Sequence, residues 1–129
     1  MEKKAKILLV DDDPDFVEAT KTVLESKPYE VVVALEGEDG LRKARTEKPD
    51  LILLDIIMPI KNGFTVAEQL KKDPELSKIP LLMLTSFSSR GAGSGIPFSR
   101  GLELEAEDYI EKPVDPQELL SRVETYLKK

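Results

Sequence analysis

The sequence contains no cysteine and no histidine. Without thiols there is no disulfide, no thiol redox chemistry and no thiolate metal site. Without imidazole there is no Ser-His triad, no histidine general base and no phosphohistidine in this chain. Tryptophan is absent and aromatic residues amount to 5%, so the core has to be aliphatic. No apolar run approaches the roughly 20 residues of a membrane span. The opening MEKKAKILLV has too short an apolar segment for a signal peptide and runs directly into aspartates. The expectation is a cytoplasmic protein with no membrane partner. An excess of basic charge is also missing. Lys and Arg number 19 against 25 Asp and Glu, a net charge of −6 that disfavours direct nucleic-acid binding.

What is present suffices for one domain. The chain has 129 residues, 40% hydrophobic and 34% charged, which predicts a single globular domain over 1–129 with no output domain after its last helix. The organising stretch is 50–63, DLILLDIIMPIKNG. Leu51, Ile52, Leu53 and Leu54 form an unbroken apolar run, as in a strand covered on both faces. The run stops at Asp55, which places a carboxylate at the C-terminal edge of a buried strand, where parallel α/β sheets bind ligands. Met58-Pro59 and Asn62-Gly63 then turn the chain. Taken alone, Asp55 could equally cap a strand or turn.

Four further strands and their helices follow from the pattern. Residues 6–10 form the first strand, which ends in Asp11-Asp12-Asp13-Pro14. Asp13 is the N-cap of a helix and Pro14 its first residue. Residues 31–35 are β-branched and apolar, a second strand, and a helix with Leu41 and Ala44 inward runs from there to about Glu47. Phe64, Ala67 and Leu70 mark a third helix ending near Asp73-Pro74. A fourth strand, LLML, ends at Thr85. Residues 86–95, SFSSRGAGSG, predict a mobile polar loop. A short fourth helix, or a disordered segment, is expected over 97–105. Residues 108–110 form a fifth strand. Asp115 and Glu118 resemble a capping box for the last helix. Alternation of this kind predicts a parallel sheet with helices on both faces.

If the strands are neighbours, Asp11, Asp12, Asp55, Thr85 and Lys112 meet at one sheet edge. Three converging carboxylates stay ionised together only around a cation. Oxygen ligands without His or Cys suit a hard ion such as Mg²⁺. Lys112 and Thr85 add a positive charge and a hydroxyl, a set able to neutralise a phosphoryl group moving onto Asp55. Each residue alone has a plainer reading: Lys112 a surface lysine, Thr85 a strand residue, Asp13 a cap. The glycine-rich 91–95 lacks the Gly-Lys-Ser/Thr ending of a phosphate loop.

The motifs ILLVDDDP, LILLDIIMPIKNG, LLMLTS and DYIEKP, in this order and spacing, resemble the receiver domain of bacterial two-component response regulators. The resemblance covers nearly the whole chain and implies the flavodoxin-like strand order 2-1-3-4-5 that chemotaxis members of this family share. It implies that Asp55 is the phosphoacceptor. Asp12 would be a direct magnesium ligand, Asp11 a ligand largely through water, and the backbone carbonyl of Ile57 a further ligand. Thr85 would bond the phosphoryl oxygen and Lys112 pair with it, while the rotamer of Tyr109 follows Thr85. The Lys112-Pro113 bond would be cis. The phosphoryl donor would be a histidine kinase or histidine phosphotransfer protein. An unidentified downstream protein would read the switch, and the chain would be a monomer or weak dimer without substrate turnover.

Departures from the family pattern lie between Thr85 and Lys112, where the chain is longer by about one helical turn. Ser86 stands where the family often has alanine. Glu105-Ala106-Glu107-Asp108 replaces Gly-Ala-Asp-Asp, removing a helix C-cap glycine. Ile57 and Phe87 flank the phosphoryl position and are both apolar. Neither can orient an attacking water, so slow autodephosphorylation is expected, hours in order of magnitude. Two other functions compete: a docking module that has lost phosphorylation, and an aspartyl-nucleophile phosphohydrolase. Haloacid-dehalogenase-type enzymes, which work in the second way, carry a further aspartate two residues after the nucleophile, and here that position is Ile57, which argues against this reading.

Overall fold

A computed structural model describes residues 5–27, 29–55, 63–85, 107–111 and 114–127. The elements in order are β1 (Ala5–Val10), α1 (Pro14–Glu25), β2 (Tyr29–Ala34), α2 (Gly37–Glu47), β3 (Leu51–Asp55), α3 (Gly63–Lys72), a 3-10 turn (Leu76–Lys78), β4 (Leu81–Thr85), β5 (Asp108–Glu111) and α4 (Pro116–Leu127). The strands form one parallel sheet in the order β2-β1-β3-β4-β5. This is the doubly wound, flavodoxin-like architecture that the alternating pattern predicts.

The core lies on both faces of the sheet. On one face Leu8, Val10, Ile52, Leu54 and Met83 meet Leu41 and Ala44 of α2 and Val66, Ala67 and Leu70 of α3. On the other, Ile7, Leu9, Leu51, Leu53, Leu82 and Ile110 meet Val17 and Leu24 of α1 and Leu119 and Val123 of α4. Successive strand residues alternate between these two clusters, as the pleat requires. Central β3 is therefore buried along its whole length, and truncating Leu53 to alanine would cost about 2–5 kcal/mol.

Caps set the helix ends. The Asp13 carboxylate accepts from the amides of Asp15 (3.0 Å) and Phe16 (3.4 Å), and Pro14 opens α1. Asp115 accepts from the Glu118 amide at 2.9 Å at the start of α4. Lys48 closes α2 in the left-handed conformation at φ 48°, just ahead of Pro49.

Three details differ from the expectation. Strand β2 runs from Tyr29 to Ala34 and not over 31–35, because its extent follows β1, with Ala5 opposite Tyr29 and Val10 opposite Ala34. Leu35 lies beyond the last rung, where the chain turns into α2, and is 49% exposed. A 3-10 turn follows α3, held by the Asp73 carboxylate, which accepts from the Glu75 (2.9 Å) and Leu76 (3.1 Å) amides. These two hydrogen bonds hold the Asp73 carboxyl below its ordinary range. Among the described residues there are four α-helices. The loop expected over 86–95 and the helix expected over 97–105 lie outside them.

Candidate functional site

The site is built from the C-terminal ends of the central strands. β1 and β3 are neighbours in register, Val10 opposite Leu54, and Asp11 and Asp55 each follow by one step. The Asp11 amide donates to the Ala34 carbonyl at 3.1 Å, extending the ladder toward β2 by one rung. Its Oδ1 accepts from the Asp13 amide at 3.0 Å, so the Asp11 side chain is held by the turn that starts α1. Asp13 thus serves twice, as the cap of α1 and as a donor to Asp11. The Asp-x-Asp spacing carries that signal, and the N-cap reading of Asp13 misses it.

Asp11, Asp12 and Asp55 come together as predicted. Each offers a carboxylate oxygen, and the three oxygens lie within 4.8 Å of one another. Asp11 is fully buried and Asp55 is 6% exposed, while Asp12 is partly exposed. Two ligands on opposite sides of a small octahedral ion with bonds near 2.1 Å stand about 4.2 Å apart, so this spread is close to what such an ion or its bound water spans. The all-carboxylate donor set fits a hard divalent cation.

The other predicted residues are placed by register. On β4, Leu84 stands opposite Asp55 and Thr85 follows it. Thr85 in turn stands opposite Glu111 on β5, so the strand that leads to residue 112 runs beside the strand that ends at Thr85. Tyr109, on β5, packs partly buried against the core face shared by α2 and α3, and that burial raises its phenol above the ordinary range. Lys112, the Ile57 carbonyl, Phe87 and the Lys112-Pro113 bond fall outside the described residues.

An open parallel sheet in this strand order, with clustered carboxylates at the C-terminal edge, defines a protein of the flavodoxin-like class that works at that edge. Comparison with known proteins narrows the class. The family model for the response regulator receiver domain matches residues 7–124, and the chain belongs to that family. It is 40% identical over 126 residues to the alkaline phosphatase synthesis transcriptional regulatory protein PhoP of Bacillus subtilis, covering 96% of this chain and 49% of that protein. It is 39% identical over 123 residues to protein PilH of Pseudomonas aeruginosa, covering 95% of this chain and 98% of that one. The chain therefore spans about half the length of several curated relatives it matches. In fold it is similar to the receiver domain of a sensor histidine kinase from Pseudomonas aeruginosa solved with a magnesium ion coordinated in the active-site cleft. That structure superposes with a TM-score of 0.84 at 23% identity, covering 98% of this chain and 100% of that one.

The chain is thus a receiver domain of two-component signal transduction, a class of phosphoacceptor modules that act with histidine kinases and downstream effectors. Among the described residues no helix is long and apolar enough to cross a membrane.

Proposed function

We propose that Asp55 accepts a phosphoryl group from a histidine on a partner kinase or phosphotransfer protein, and that the resulting acyl phosphate switches binding to a downstream protein. The observation that carries this reading is the cluster of Asp11, Asp12 and Asp55 carboxylate oxygens within 4.8 Å, with Asp55 buried at the end of the central strand. An oxygen of the Asp55 carboxylate forms the new bond to phosphorus. The N–P bond of the donor breaks, and its electron pair stays on the imidazole, which takes up a proton from solvent. Burial of Asp55 strips water from the nucleophile and limits access of competing water. Asp12 would hold Mg²⁺ directly, with Asp55, Asp11 largely through water, and the Ile57 carbonyl completing the protein's share of the ligands. When bound, the ion supplies neutralisation of charge on the phosphoryl oxygens. Lys112 pairs with the phosphoryl group, Thr85 donates its hydroxyl to it, and Tyr109 follows Thr85.

On this reading the chain is a signalling acceptor without substrate turnover of its own, in keeping with the general character of the family. Its phosphoryl lifetime is hours, because Ile57 and Phe87 orient no water. Incubation with acetyl phosphate and Mg²⁺, followed by intact mass measurement, tests the proposal. One added phosphoryl group on the wild type, none with EDTA and none on Asp55→Asn is the expected result. An adduct of equal yield on Asp55→Asn would overturn it.

A further inference from the structure

The last strand is short, and it enters the sheet through two consecutive acidic residues that meet cations on opposite faces. Glu107 makes a two-point clasp on Leu81 at the start of β4. Its amide donates to the Leu81 carbonyl at 2.8 Å, and its Oε1 accepts from the Leu81 amide at 2.7 Å. The same carboxylate accepts from Lys71 of α3 at 3.2 and 3.3 Å. Lys71 is only 13% exposed, and its ammonium also reaches the Ser77 carbonyl at 3.5 Å. Asp108 meets the helix on the other face. Its Oδ2 accepts from Arg122 at 2.9 Å and lies 3.2 Å from the Tyr126 hydroxyl, which is also 3.1 Å from the Glu107 carbonyl. Arg122 further donates to the Tyr109 carbonyl at 3.2 Å and to Glu118 at 2.6 Å.

We propose that Glu107 and Asp108 are positioning residues that set the register of β5, and with it where the chain delivers Tyr109 and residue 112 to the site. Side-chain reach distinguishes the two positions. Glutamate at 107 spans to Leu81 and Lys71 together, and aspartate, one methylene shorter, does not. Aspartate at 108 meets Arg122 and Tyr126 on the opposite face. A slip by one residue would exchange the two acids. It would also turn Tyr109 away from the α2/α3 face and Ile110 away from the α1/α4 face, since the side-chain period of a strand is two. The chain beyond would shift by about 3.3 Å. Both clasps lie at the end of the sheet opposite the carboxylate cluster and outside 86–106, so β5 carries its own register whatever that connection does.

The test exchanges the two acids. Glu107→Asp with Asp108→Glu keeps charge and composition and changes only reach. Hydrogen exchange at the 109–111 amides should quicken by about tenfold, with Ile52 and Leu53 of β3 unchanged. Glu107→Gln keeps the acceptor for the Leu81 amide and should quicken exchange less than the swap does. Exchange in the swap within about twofold of wild type, or a larger effect from Glu107→Gln, would overturn the proposal. The consequence for chemistry rests on reading Lys112 as the phosphoryl partner. The swap should slow phosphorylation by acetyl phosphate in parallel with its exchange effect, and Lys112→Ala should slow it with β5 exchange unchanged. If Lys112→Ala is phosphorylated as fast as wild type, that reading fails, and the exchange data still decide the register.

Discussion

Neutralising Asp11 should stabilise the metal-free protein and weaken its response to magnesium. Asp11, Asp12 and Asp55 hold three carboxylate oxygens within 4.8 Å. At that limit two unit charges repel by about 3 kcal/mol at an effective dielectric constant near 20 and by about 1 kcal/mol in water. Asp11 and Asp55 are buried and lie toward the first figure, while Asp12 is partly exposed and lies closer to the second. Asp11→Asn keeps an acceptor oxygen for the Asp13 amide, so the turn into α1 survives the change. With solvent screening at the mouth of the cluster reducing the repulsion, the net gain should be about 1–2 kcal/mol, or about 4–8 °C in Tm for a domain of this size. Thermal melts by circular dichroism, in low salt with EDTA, read this directly. Magnesium at about ten times its dissociation constant should raise the wild type by about 1.4 kcal/mol and the variant by much less. A variant that melts at or below the wild-type temperature in EDTA, or that magnesium stabilises as strongly as wild type, would refute the reasoning.

Further outcomes follow from the same structure. Lys71→Met keeps the apolar stem and removes the ammonium between Glu107 and Ser77. It should cost about 1–2 kcal/mol in urea unfolding, discounted for the partial exposure of Glu107. Asp13→Ala removes the α1 cap and should cost about 1 kcal/mol by the same assay. Asp73 has a depressed folded-state pKa, so its stabilising effect is present above the unfolded carboxylate value and is lost as pH falls through the folded one. Asp73→Asn should therefore flatten the acid limb of a stability profile and leave its neutral region parallel to wild type.

Most of this fold is legible where a local pattern suffices. The continuous Leu51–Leu54 run, bounded by turn residues, reads as a strand covered on both faces, and Asp13-Pro14 followed by apolar residues at helical spacing reads as a helix start. The acid cluster is legible because each aspartate follows an apolar strand, although the Val10–Leu54 register that brings them together is a property of the sheet. What the pattern misses depends on partners far along the chain. β2 starts at Tyr29 because Ala5 stands beside it, and Leu35 is apolar yet exposed because the paired register ends at Ala34 and the chain turns there into α2. The Lys71–Glu107 pair joins residues 36 apart, and in a chain that is 34% charged nothing local distinguishes these two from the solvated majority. The turn at Leu76–Lys78 escapes because Asp73-Pro74 marks the end of a helix equally well.

The proposed switch stands or falls on Asp55 being the residue phosphorylated. The most direct measurement is borohydride reduction of the protein after treatment with acetyl phosphate and Mg²⁺, followed by peptide mapping. Reduction of an aspartyl phosphate leaves a homoserine at the modified position. That homoserine is expected at position 55 and nowhere else. Homoserine at Asp11, Asp12 or another carboxylate, with Asp55 intact, would contradict it.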